Sequence, residues 1–213
     1  MTFRIPRIYP ILDAAIIPST GRREFLRRLG DELAAAGVTL LEYRNKTGDE
    51  AELFADAEIL RAAMPQRGIK LILDDRVDLV EKLQFDGVHV DVGDLSPGEA
   101  RNWLGPARII GTFGGSEALV PGILREPADY FSIGPVNATT TKQTSKAPIG
   151  AVGVKRLRAE AGPDAILVAV GGIKLENLQE IFEAGATTVA VAAAIFRSAD
   201  PAAEFRRWVE AVG

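Results

Sequence analysis

Charged side chains recur where short apolar runs of this chain end. Glu42, Arg44 and Lys46 alternate along "LEYRNK" (41–46), Asp74, Asp75 and Arg76 close "LDDR" (73–76), and Asp91 and Asp94 follow "GVHV" (87–90). Cations spaced in this way suit a phosphate. Carboxylates from neighbouring segments can converge on Mg2+, a hard ion that prefers oxygen and commonly also binds substrate phosphates. A plainer reading stands beside the metal one: "DLS" at 94–96 can cap a helix starting near Pro97, and Arg76 can pair with a nearby acid.

A fourth stretch, "GPVNATTTKQTSK" (134–146), sets Thr139, Thr140 and Thr141 before Lys142. Hydroxyl donors beside a positive charge make an anion site. A solvated loop is the alternative, since Thr, Ser, Asn and Gly are turn residues. Gly171 and Gly172 in "AVGGI" let backbone N–H groups approach a ligand closely, and Ala193 and Ala194 are small. His89 is the only histidine and there is no cysteine. Mid-run in "GVHV", His89 reads as structural rather than catalytic. Cysteine nucleophiles and histidine-based general base schemes lose ground, and chemistry driven by electrostatics remains.

Such residues need a scaffold that gathers run ends at one place. Apolar runs recur at 8–12, 38–43, 70–75, 87–91, 108–113, 130–136, 166–173 and 188–196. Several are apolar on both faces, which suits parallel strands covered by helices. Between them lie amphipathic stretches. Phe25, Leu26, Leu29 and Leu33 share one stripe of 23–37, and Leu175, Leu178, Ile181 and Phe182 one stripe of 175–185. Gly37, Gly162 and Gly185 fit the left-handed position just past a helix. The alternation predicts eight strand–helix units ending in a helix at 201–212, hence an α/β fold: a compact (β/α)8 TIM barrel forming one domain over 1–213. An open doubly wound sheet is the alternative. In a barrel the strand ends meet at one mouth, where the loops after strands 7 and 8 often bind phosphate. If Leu41, Tyr43 and Asn45 pack on helices, then Glu42, Arg44 and Lys46 face that mouth.

Composition narrows the function classes. Of the 213 residues, 47% are hydrophobic and 25% charged, enough for a substantial core. A net charge of -4 argues against nucleic acid. No apolar run approaches the roughly 20 residues that span a bilayer. The first residues lack a signal-peptide pattern. A soluble, cytoplasmic protein without membrane or nucleic-acid partners is expected. A homodimer is an assembly that the sequence leaves open.

The order of "LEYRNK" (41–46), "LILDDRVDL" (71–79), "DGVHVDVGDL" (86–95), "IIGTF" (109–113), "DYFSIGPVNATTTK" (129–142), "AVGGIKLEN" (169–177) and "AGATTVAVAAAI" (184–195) resembles the thiamine-phosphate synthase family over nearly the whole chain. The resemblance implies a compact (β/α)8 barrel and a Mg2+-assisted condensation of small phosphorylated substrates. The pyrophosphate of a hydroxymethylpyrimidine leaves in a dissociative step, and a thiazole phosphate nitrogen takes its place. By position, Arg44, Lys46 and Lys142 match residues on the pyrophosphate. Asp75 and Asp94 match Mg2+ ligands. Thr139 and Thr141, with Gly171 and Gly172, match the thiazole-phosphate pocket.

The departures gather at the site. Glu42 stands where the family has Gln, Asn45 where it has Glu, Asp74 where it has Asn, and Asp91-Val92-Gly93-Asp94 where it has Gly-Gln-Glu-Asp. Serines of the family fall at Phe113 and Ala193. An ionised Glu42 would only accept hydrogen bonds, where Gln also donates. Asp74 adds negative charge, and Phe113 takes up room. The phosphate and metal frame therefore reads as kept, with Glu42, Asp74 and Ala193 among the substrate-facing positions and base recognition altered. Two other readings remain. One is an enzyme on another phosphorylated heterocycle, such as the thiazole tautomerase relatives, whose catalytic His is missing from "GTFGGS" (111–116). The other is a phosphate-ligand binder without turnover.

Overall fold

Runs that are apolar on both faces become strands sandwiched between two apolar layers. A computed structural model describes residues 4–46, 49–65, 68–139 and 146–213. Its strands are β1 (Ile8–Asp13), β2 (Leu40–Arg44), β3 (Lys70–Asp74), β4 (Gly87–Val90), β5 (Ile109–Gly115), β6 (Tyr130–Ile133), β7 (Leu167–Val170) and β8 (Thr188–Val191). They form a closed barrel in sequence order, every pair parallel, with β8 returning to β1. This is the (β/α)8 barrel read from the sequence.

The surrounding helices are α1 (Arg22–Ala35), α2 (Glu50–Ala63), α3 (Pro97–Leu104), α4 (Gly150–Ala161), α5 (Leu178–Glu183), α6 (Ala193–Phe196) and α7 (Pro201–Glu210). Two of the expected units are incomplete. β3 reaches β4, and β5 reaches β6, through single 3-10 turns at Val77–Leu79 and Ile123–Arg125. Pro121, Gly122 and Pro127 break any helix in the second connection. In the first, Val77, Leu79, Val80 and Leu83 are buried within a tight turn. The last apolar run also divides: β8 stops at Val191 and 193–196 is helical. Periodicity cannot separate a buried strand from a short alanine-rich helix. Gly37, Gly162 and Gly185 have the positive φ expected of them, 87°, 77° and 107°.

One apolar layer fills the barrel interior: Tyr9, Leu40, Ile72, Ile109, Tyr130, Val168 and Ala190. The larger layer lies between strands and helices and holds Leu41, Tyr43, Leu71, Leu73 and the stripe Leu26, Leu29 and Leu33. Phe25 packs against it partly buried. Gly111 makes room in the interior, because a Cβ there would lie 2.0 Å from Tyr130 Cζ.

The parity of β2 is as the sequence required. Tyr43 points outward, and its hydroxyl donates to Asp56 Oδ2 of α2. Arg22 of α1 also donates to Asp56, with Nε 2.8 Å from Oδ1. Asn45 Nδ2 donates to Tyr43 Oη at 3.1 Å and to Glu52 Oε1 at 3.3 Å. This buried network clamps the end of β2 to two helices, and the inward residues Glu42 and Arg44 inherit that rigidity.

Candidate active site

At the C-terminal ends of the strands a cavity of about 340 Å³ opens. Strand register decides which charges meet in it. Asp13 pairs with Arg44 across β1 and β2, so both side chains project from the same face, and the Arg44 guanidinium forms an ion pair with Asp13. Arg44 Nε also lies 3.5 Å from Asp74 Oδ2. Lys46 follows one step outward. Its ammonium is 2.9 Å from Asp74 Oδ2 and donates to Asp75 Oδ2. Both cations are thus held by the chain's own carboxylates.

Asp75 sits just beyond β3 with φ at 64°, in the left-handed region, and its N–H donates to the His89 carbonyl at 2.8 Å. Asp tolerates this conformation better than most residues, yet such an outlier persists only where its surroundings fix it. The Asp75 carboxylate lines a second, smaller cavity of about 170 Å³ with Lys46 and Arg76, and Asp74 borders both cavities. Asp74, Asp75 and Asp91 each offer an oxygen within 4.8 Å of the others. Asp74 Oδ2 and Asp75 Oδ1 are buried and accept no hydrogen bond, so the Lys46 ammonium beside Asp74 balances charge without filling that lone pair. Two orphaned oxygens, on Asp74 and Asp75, within a set of three convergent carboxylates fit a hard divalent cation.

Asp94, the expected partner of Asp75, lies one turn further along. Its Oδ2 accepts from the Asp91 N–H at 2.9 Å, closing the loop after β4. The sequence signal passed over Asp91 for the metal role because both aspartates follow the same strand, and only the turn distinguishes them. The cap of α3 is Ser96, whose Oγ accepts from the Glu99 N–H at 3.2 Å.

Glu42 is 4% exposed. Tyr9 donates its hydroxyl proton to Glu42 Oε2 at 2.7 Å, and the Tyr9 and Tyr130 hydroxyls are 2.9 Å apart. Burial, with the charges of Asp74 and Asp91 behind it, pushes the Glu42 carboxyl up to about 8. The expectation of an ionised, accept-only Glu42 is corrected accordingly: near neutral pH the side chain carries a proton and can donate as Gln does. Burial also raises both tyrosine hydroxyls well above their ordinary range. His89 stacks on Tyr130, with Nδ1 3.3 Å from the Tyr130 hydroxyl and Nε2 3.4 Å from Ser132 Oγ. His89 and Ser132 both line the cavity from within this interior chain.

Opposite, Gly171 and Gly172 have φ of 97° and 62° and line the cavity with Thr139 and Ala193. The Asn137 N–H donates to the Gly171 carbonyl at 2.9 Å, and Asn137 Nδ2 to the Gly172 carbonyl at 3.1 Å. A Cβ on Gly172 would lie 2.3 Å from the Ala138 carbonyl oxygen. Two loops are therefore laced together at van der Waals distance. Phe113 lines the same cavity, with Lys146 Nζ 3.4 Å from its ring centroid. Thr141 and Lys142 lie outside the described residues.

The family described as thiamine monophosphate synthase (TMP-TENI) matches residues 8–195. The chain belongs to that family. A thiamine-phosphate synthase of Koribacter versatilis is 40% identical over 191 residues, 89% of this chain and 89% of that protein. One of Agrobacterium fabrum is 38% identical over 187 residues, 84% of this chain and 85% of that protein. The structure of a thiamine phosphate pyrophosphorylase from Pyrococcus furiosus superposes with a TM-score of 0.74 at 25% identity, covering 97% of each chain. Orotidine 5'-phosphate decarboxylase from Pyrococcus horikoshii, TM-score 0.64 at 13% identity, shares the fold alone. As a member of the thiamine monophosphate synthase family the chain is an enzyme, a transferase. Among its described residues no helix is long and apolar enough to cross a membrane.

Proposed function

We propose that the chain makes thiamine phosphate from hydroxymethylpyrimidine pyrophosphate and thiazole phosphate. The bond from the pyrimidine methylene carbon to the pyrophosphate oxygen breaks, and its electron pair leaves with pyrophosphate. The thiazole ring nitrogen then gives its lone pair to that carbon, forming the C–N bond. No proton has to be removed, so the site needs charge neutralisation more than a base. The single observation that carries this reading is the concentration of Arg44, Lys46 and three convergent aspartates at the ends of β2 to β4, where Arg44, Asp74 and Asp91 face a glycine turn across one cavity.

Arg44 and Lys46 would turn from Asp13, Asp74 and Asp75 toward the pyrophosphate, joined by Lys142 from the loop after β6. Asp75 is the carboxylate common to two ligand sets for Mg2+. The resemblance pairs it with Asp94, and the geometry groups it with Asp74 and Asp91. Bound there, Mg2+ would neutralise negative charge on the leaving pyrophosphate. Thr139 and Thr141, with the N–H groups near Gly171, Gly172 and Ala193, would hold the thiazole phosphate. Glu42 and the Tyr9–Tyr130 pair would meet the pyrimidine.

The test mixes purified protein, both substrates and Mg2+, and reads thiamine phosphate by thiochrome fluorescence with an EDTA control. Metal-dependent product is expected, with turnover cut strongly in Lys142→Ala. Folded protein giving no product at any Mg2+ level would sink the reading.

A further inference from the structure

The cavity wall is electrostatically divided. Among the described residues, every carboxylate that lines it, those of Asp13, Glu42, Asp74 and Asp91, comes from β1 to β4 or the residue after. Among the described residues the wall from β6 to β8 offers no carboxylate, and it carries Lys146 and Lys174. Lys146 rests on the Phe113 ring. Lys174 has a different setting. It ends the Gly171–Gly172 turn, and its backbone N–H donates to Asn177 Oδ1 at 2.8 Å. Its side chain is exposed at the mouth and makes no ion pair among the described residues. Arg44 and Lys46, by contrast, are each engaged by two carboxylates.

We infer that Lys174 is a binding residue for the phosphate of the thiazole substrate. The inference rests on the proposed synthase reading for the ligand's identity. An anion entering the β1–β4 half meets carboxylates and needs a divalent cation or displaced ion pairs before it can settle. On the β6–β8 half it meets neutral donors and the Lys174 ammonium, which has no carboxylate to give up among the described residues.

Calorimetric titration in EDTA tests this. The probes are the thiazole phosphate, its dephosphorylated alcohol and inorganic phosphate, each against wild type, Lys174→Met and Lys174→Arg. Lys174→Met should weaken the thiazole phosphate about five- to tenfold, as for one charge-assisted hydrogen bond at a partly exposed site. It should leave the alcohol unchanged, and Lys174→Arg should stay within about twofold of wild type. In turnover, KM for the thiazole phosphate should rise while kcat holds. Equal affinity of wild type and Lys174→Met for the phosphate overturns the inference, as does an equal loss for the alcohol. If wild type binds neither thiazole ligand, the synthase reading fails by itself. Inorganic phosphate then decides the residue's role, weaker binding to Lys174→Met sustaining the anion contact and equal binding ending it.

Discussion

Tyr9 donates a hydrogen bond to Glu42 Oε2 at 2.7 Å inside the barrel, and Glu42 lies among the negative charges of Asp74 and Asp91. The carboxyl is held protonated by burial first and by those charges second, from an ordinary 4.5 up to about 8. The folded state therefore binds this proton more tightly than the unfolded chain does. The stability it contributes is complete below about pH 4.5 and is lost as pH rises through 8. Glu42→Gln keeps the donor and acceptor pattern and removes the titration. Its melting temperature relative to wild type should climb between pH 6 and pH 9, read by scanning calorimetry. A difference that stays constant across that range would show that Glu42 does not titrate there.

The aspartates give a second prediction. Asp75→Asn and Asp91→Asn should each weaken Mg2+ binding, titrated with inorganic pyrophosphate present, by roughly tenfold, because each removes a charge from the convergent set. Asp94→Asn should weaken it less, since one Asp94 oxygen is already engaged by the Asp91 N–H. A larger loss in Asp94→Asn than in Asp91→Asn would restore the pairing of Asp75 with Asp94 and remove Asp91 from the ligand set.

Asp56 is 1% exposed and accepts from both Arg22 and Tyr43. Asp56→Ala removes the acceptor of the buried Tyr43 hydroxyl and leaves Arg22 with Glu52, 3.1 Å away, as its remaining carboxylate, which should cost about 2 kcal/mol. A shift of the urea midpoint measures it. Because Tyr43 lies between Glu42 and Arg44, activity should fall in the variant even where it is fully folded. Undiminished turnover would mean that the β2 end holds its position without the clamp.

These residues differ in how far sequence betrayed them. The alternation of Glu42, Tyr43 and Arg44 was legible because a barrel strand has one inward and one outward face, and polarity tracks it. The two missing helices were less so: Leu79, Val80 and Leu83 read as a core-facing stripe whether the backbone is an α-helix or a tight turn. The protonation of Glu42 was hidden, because it depends on neighbours from other strands and the loop after β4, and none of them adjoins it in sequence. Asp91 and Asp94 share a loop, so only the hydrogen bond between them separates their roles. Lys174 lies within "AVGGIKLEN" (169–177), where only the glycines were assigned a role. A lone lysine before a helical stretch becomes informative once the opposite wall is seen to hold the acids.

The last prediction concerns Gly172. Its φ of 62° is the left-handed conformation, and a Cβ would lie 2.3 Å from the Ala138 carbonyl oxygen. Backbone cannot rotate aside as a side-chain tip can, so Gly172→Ala must part the two loops that Asn137 laces together. The strained conformation adds a cost of about 1 kcal/mol or more. The barrel should still form, since its strands pair independently of this turn. Loss should fall on the thiazole phosphate, with KM for that substrate raised at least about tenfold, while binding of inorganic pyrophosphate with Mg2+ stays near wild type. Steady-state kinetics with each substrate varied in turn checks it. An equal rise in both KM values would mean that the turn supports the whole mouth rather than the phosphate on its own side.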